Sequence, residues 1–235
     1  MELVQRYVSR ELTHFVGRHL LESERFDLLI EIIKSGRLLH KHQEEPIQIN
    51  IDAEGLEEIV NPAITCFADI PINDLSLHME KYSNFGLAFK KEFLVKNGAN
   101  PVLYIASNGM VESSFYKQDI VNREHFFKKS MKEYFETMDE IRAYLVKKEG
   151  SKAMLHAIED LDSFFKRHFF AYLKPFDASR KDADEDNYYM EREWRIVGEL
   201  KFTLEDVTRI LVPEKYGKKI REVLPAYFGQ ISFTE

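Results

Sequence analysis

The strongest limit on how this chain can fold is a change of hydrophobic period in its middle. From about residue 112 to about residue 174, "ESSFYKQDIVNREHFFKKSMKEYFETMDEIRAYLVKKEG" and "SKAMLHAIEDLDSFFKRHFFAYLKPF" carry apolar residues at helical spacing, with Gly150 between them. On either side the pattern is that of strands. A sheet must therefore draw its strands from both ends of the chain, with a two-helix insertion between them, which is an α+β arrangement.

Before the insertion, "ELTHFVGRHL" contains a short extended stretch, and "ERFDLLIEIIKSG" follows with Phe26, Leu29, Ile30 and Ile33 at helical spacing. Ser23 is its expected N-cap and Gly36 its stop. "IQINI" alternates as a strand, and "AITCFADIPI" reads as a more buried strand ended by Pro71. Asn73 or Asp74 is expected to cap a short helix through "LSLHMEKY". "FGLAFK" and "PVLYIA" are further strands, the second apolar enough to lie centrally in a sheet. After the insertion, "DASRKDADED" is polar and aperiodic, which predicts a mobile surface loop over about 175–187. Then come the strand "NYYMEREWRIVGELKF", a Thr203-capped turn, "VTRILVP", a helix through "EKYGKKIREVL" and a last strand "GQISF". A chain of 235 residues, 44% apolar, can bury a sizeable core, and the expectation is a single domain over 1–235.

Several function classes lack support. The net charge of −7 argues against broad attraction to nucleic acid or anionic membrane. No apolar run approaches the roughly 20 residues needed to span a bilayer, so a cytoplasmic protein is expected. Cys66 is the single cysteine and reads as a small buried hydrophobe. The eight histidines do not form the spaced pairs of a zinc site, and no metal is expected. Walker, GxGxxG and GxSxG patterns are absent.

One constellation remains. If "NYYMEREWRIVGELKF" alternates throughout, Trp194, Ile196, Leu200 and Phe202 point one way, and Glu191, Glu193, Arg195, Val197 and Glu199 the other. Two carboxylates one residue apart on a strand are roughly 7 Å apart at Cα. They suit the cleavage of a glycosidic bond to ribose, where a carboxylate stabilises an oxocarbenium-like centre and accepts from a sugar hydroxyl. A solvated ladder, with Glu193 and Arg195 pairing with neighbours, explains the same pattern. His14 is likewise open to two readings, a half-buried strand histidine or a site residue.

The segments "THFVGRHL", "CFADIPINDLSLHMEKYSNFGLAFKKEFL", "ANPVLYIA" and "YYMEREWRIVGELKF" together resemble the AbiGi family, named for an abortive phage-infection locus, over nearly the whole chain. That resemblance implies the antitoxin-like partner of a two-gene bacterial defence locus, with a cognate toxin or antitoxin protein as partner. More distantly, the same motifs are similar to ADP-ribosyltransferases of the His-aromatic-Glu type. This implies a bent, mixed or antiparallel central sheet and NAD as the substrate. In that group a His on the first strand binds the adenosine ribose, an aromatic stacks on nicotinamide, and a Glu opening a late strand binds the nicotinamide ribose. Carried over, His14, with Phe15 and Gly17 beside it, takes the first role. Tyr82 is the stacking aromatic, with Phe85 and Phe67 as rivals. Glu193 is the catalytic carboxylate and Glu191 the preceding member of the pair. The implied activity is transfer of ADP-ribose to an unidentified macromolecule, or hydrolysis of NAD. The alternative is a non-catalytic antitoxin that binds a partner toxin.

Overall fold

A computed structural model of the chain describes residues 9–38, 48–49, 60–61, 63–106, 126–181, 184 and 187–234. The elements begin with β1 (Glu11–Phe15), α1 (Glu22–Ser35), β2 (Arg37–Leu38), β3 (Gln48–Ile49), β4 (Val60–Asn61) and β5 (Ile64–Ala68). Next are α2 (Ser76–Lys81), β6 (Gly86–Lys90), α3 (Lys91–Lys96), β7 (Asn100–Pro101) and β8 (Leu103–Ala106). The long helices are α4 (Phe126–Lys147) and α5 (Lys152–His168). The chain closes with β9 (Leu173–Phe176), β10 (Glu193–Val197), β11 (Leu200–Lys201), β12 (Val207–Pro213), α6 (Gly217–Val223) and β13 (Gln230–Thr234). The fold is mixed α+β.

Two compact units divide these elements. The first combines residues 1–44, 63–102 and 189–235, and so joins both ends of the chain. Its sheet has seven strands in the order β13-β12-β6-β1-β5-β10-β7. The β12–β13 pair is parallel and the other pairs are antiparallel. Leu12, Val16, Phe67, Leu87, Phe89, Ile196 and Ile210 form a core with Phe26, Leu29, Ile30 and Ile33 of α1. Those four α1 residues are the ones its helical period marks, and burying each side chain contributes roughly 1.5–3 kcal/mol. The cap differs from expectation. Helix α1 starts one residue before Ser23, and the Glu24 carboxylate accepts from the Leu21 N–H at 2.9 Å. Likewise Asn73 and Asp74 lie in a 3₁₀ turn, and α2 has no side-chain cap.

The second unit spans 45–62 and 103–188 and holds the α4–α5 hairpin. Tyr134 and Phe135 of α4 pack edge-on against Phe170, and Tyr134 also meets Phe165 of α5. Asp162, buried on α5, accepts from Arg142 at 2.8 Å and Lys166 at 2.5 Å. "PVLYIA" is not central in the main sheet: Pro101 ends the edge strand β7, and among the described residues β8 pairs in parallel with β9, in a two-stranded sheet of the second unit. Of the expected loop at about 175–187, β9 takes up the first two residues, and residues 182–183 and 185–186 lie outside the described residues. Among the described residues, no helix is long and apolar enough to cross a membrane.

Candidate functional site: a buried carboxylate pair

The site lies within the first unit, where β1, β5 and β10 run side by side. Thr13 pairs with Ala68, and Ala68 with Glu193. Directly opposed residues share a face, so Thr13, Ala68 and Glu193 do. Phe15, two residues beyond Thr13, belongs to the same face, and packs with Met79 of α2 against Ala68, Ile70, Leu75 and Leu211. On this face the Phe15 ring stacks on Tyr82, with centroids 6.0 Å apart and planes at 16°. His78 lies 6.5 Å from Phe15 and 6.3 Å from Tyr82.

Both glutamates are brought to this aromatic group, although not by a straight strand. Tyr188–Glu191 forms a 3₁₀ turn, and Arg192 takes a left-handed conformation at φ 47°. The alternation therefore begins only at Glu193. Glu191 is 6% exposed; its Oε1 accepts from the Tyr82 hydroxyl and from Lys81 Nζ, the latter at 2.6 Å. Burial, followed by the charge of Glu191 and the hydrogen bond to it, pushes the Tyr82 pKa well above the ordinary phenol value. Tyr82 is thus a fixed donor at neutral pH. The negative charge of Glu193 adds to that shift.

Glu193 is also 6% exposed, and Arg195, 8% exposed, donates from Nε to its Oε1 at 2.7 Å. A solvated ladder does not describe this pair, since water is excluded from both partners. Behind it, the buried Asp69 accepts from Lys91 Nζ at 2.8 Å and from the Ser9 N–H at 3.0 Å. The Asp69 N–H donates to the Arg192 carbonyl at 3.2 Å, which ties the left-handed residue to β5.

His14 is placed elsewhere. One residue from Thr13, it takes the opposite face, opposite Leu87 and with its ring 5.7 Å from Phe67 of the core. Its Nδ1–H donates to the Cys66 carbonyl at 2.8 Å. Burial lowers its pKa despite that bond, so the neutral imidazole is favoured. Phe85 and Phe67 are core residues, with Phe85 edge-on to Tyr216 at 5.3 Å. Gly17 serves the backbone: at φ 77° it opens the turn in which its carbonyl accepts from the Leu20 N–H, and a Cβ there would meet Arg25 Cγ at 2.8 Å. The structure therefore unites Phe15, Tyr82, Glu191 and Glu193 and leaves out His14, Phe85 and Phe67.

Sequence reasoning missed His78, Lys81 and Asp69. The first had a usable signal, because His78 and Tyr82 stand four apart on "LSLHMEKY" and so share a helix face. His78 is buried, and neither ring nitrogen finds a hydrogen-bond partner. Burial lowers its pKa, opposed by the Glu191 charge and reinforced by Lys81. Among the described residues, no group of three His, Cys, Asp or Glu side chains is placed to hold a metal ion.

A mixed α+β sheet domain with a buried, cation-paired carboxylate pair is the class of protein defined here. The chain belongs to the AbiGi family: the family described as "Putative abortive phage resistance protein AbiGi, antitoxin" matches residues 37–223. A relative in Lactococcus lactis subsp. cremoris, named "Abortive phage resistance protein AbiGi", is 27% identical over 203 residues, 76% of this chain and 70% of the relative. No solved structure matches the chain. Membership points to abortive phage resistance in an antitoxin role.

Proposed function

We propose that this chain is a non-catalytic antitoxin of an abortive-infection pair, one that restrains a partner toxin by binding it. The observation supporting this reading is that His14 and Glu193 take opposite faces of the sheet, whereas the transferase reading calls on both for one NAD. The stacking position is also taken. Phe15 lies 6.0 Å from the Tyr82 ring centroid, Arg18 Cζ 4.9 Å and Lys81 Nζ 5.2 Å, which leaves Tyr82 committed to its own neighbours. The test is co-expression with the toxin of its locus, scored by growth, beside an assay of nicotinamide release from NAD. Neutralisation that survives Glu193→Gln, with no NAD turnover, is the expected result.

Transferase activity is the second reading, and one observation favours it. Glu193 is the first residue of β10, beside β5 and one strand from β1, as a ribose-binding Glu opening a late strand requires. There the carboxylate would accept from a ribose hydroxyl and stabilise the positive charge that develops as neutral nicotinamide departs. Removing one such contact costs about 10²–10³ in kcat. NAD turnover that falls by that factor in Glu193→Gln, in a folded protein, establishes the transferase and overturns the antitoxin-only reading.

A further inference from the structure

One face of α5 is apolar, exposed and spaced for another helix. Met154, Leu161 and Phe164 are 61%, 46% and 55% exposed, and Ala157 and His168 on the same line are exposed as well. Positions 154, 157, 161, 164 and 168 follow a strict three-four repeat, the seam of a coiled coil rather than the wider stripe that packs into a globular core. The opposite side of α5 already has its partner: Asp162 bonds to Arg142 of α4, and the Phe165 ring meets Tyr134 at 5.7 Å. The seam is thus a second apolar face, about 21 Å long at 1.5 Å per residue.

The flanking charges select the occupant. Glu159 and Asp160 lie in the first half of this stretch and Arg167 in the second. Laid against itself in parallel, the helix sets its g positions against e positions, so Asp160 meets no basic partner. Laid antiparallel, Leu161 meets Phe164, Ala157 meets His168, and Asp160 faces Arg167 of the second copy, twice by symmetry. We propose that α5 is a homodimer surface, pairing with α5 of a second copy in antiparallel register. A two-fold interface demands self-complementary charge of this kind. The seam is short, so the dimer is concentration-dependent rather than obligate.

The test is the mass of the full chain by sedimentation or light scattering across a concentration series. The expected result is a rise from 27.7 kDa towards twice that value. Phe164→Asp weakens the dimer at least about tenfold, as for a central interface anchor. Asp160→Arg and Arg167→Asp each weaken it, and the double variant restores it, a rescue that loss of folding cannot imitate. Unchanged helical circular dichroism accompanies each variant. A monomer at every concentration, a dimer indifferent to Phe164→Asp, or no rescue in the double variant overturns the proposal. The outcome does not depend on what the carboxylate pair does.

Discussion

The Tyr82 hydroxyl and Lys81 Nζ donate to one and the same oxygen, Oε1 of Glu191. Adjacent residues at the end of α2 thereby fasten the turn before β10 to the helix, and the carboxylate pair depends on that fastening. Tyr82→Phe removes one hydrogen bond to a charged acceptor and is expected to cost about 1.5–3 kcal/mol. Glu191→Gln removes the charge opposite a largely buried Lys81 and is expected to cost about 3–5 kcal/mol. Since the two share an oxygen, the double variant falls short of the sum, and urea titrations of the four proteins measure the shortfall.

The left-handed backbone at Arg192 is what turns Glu191 towards α2 while Glu193 begins the strand. A non-glycine residue pays about 1–2 kcal/mol for that conformation. Arg192→Gly relieves the cost but adds freedom to the unfolded chain, so its stability is expected to stay within about 1 kcal/mol of the parent. Arg192→Val keeps the strain and adds a branched Cβ, so it is expected to lose about 2 kcal/mol or more. Thermal unfolding of the two variants separates a conformational role from the side chain's 3.7 Å approach to Asp69.

Arg192 also marks where the sequence stops being readable. Helix α1 was legible because four apolar residues at strong helical spacing need only one surface to bury against, and the sheet supplies it. The start of β10 was not, because "YYMEREW" alternates convincingly in letters while nothing in an arginine announces a left-handed turn. "PVLYIA" shows a related limit: its apolar run reports burial, not which strand it will join. For His14, the deciding fact is the register Thr13↔Ala68↔Glu193, and a one-residue difference reverses every side chain of a strand. Glu191 and Glu193 stand out as two carboxylates one residue apart, and the resemblance gave them their roles; their burial was not legible, because it depends on cations 110 residues away at Lys81 and two away at Arg195.

Gly36 ends α1 at φ 63°, and a Cβ there would sit 2.5 Å from the Phe202 carbonyl oxygen. Its own carbonyl accepts from the Phe202 N–H at 2.8 Å, so neither chain can withdraw without losing the contact. Gly150, between α4 and α5, has φ 77° but open space around it. Gly150→Ala is therefore expected to cost only the left-handed penalty, about 1–2 kcal/mol. Gly36→Ala adds a backbone clash to that penalty and is expected to cost at least about 1 kcal/mol more. Chemical denaturation of the two variants reads the difference directly.

Two histidines, His78 buried and His14 half-buried, make the fold sensitive to acid. His14 and His78 both have folded pKa values below the ordinary 6.5, with burial as the first cause. Between 6.5 and those lowered values the unfolded chain binds more protons than the folded one, so stability rises with pH across that window. The full contribution is present above 6.5 and is lost as the pH falls towards the folded pKa values, below which these two groups cause no further loss. His78 faces the rings of Phe15 and Tyr82 and the charges of Glu191 and Lys81, with both nitrogens lacking hydrogen bonds. His78→Phe keeps the stacking and removes the titration. It is expected to reduce the slope of unfolding free energy against pH below 6.5, and to gain about 1 kcal/mol near neutral pH by removing the desolvated nitrogens. Urea midpoints measured from roughly pH 5 to pH 8 check both, and an unchanged slope shows that His14 alone carries the acid sensitivity.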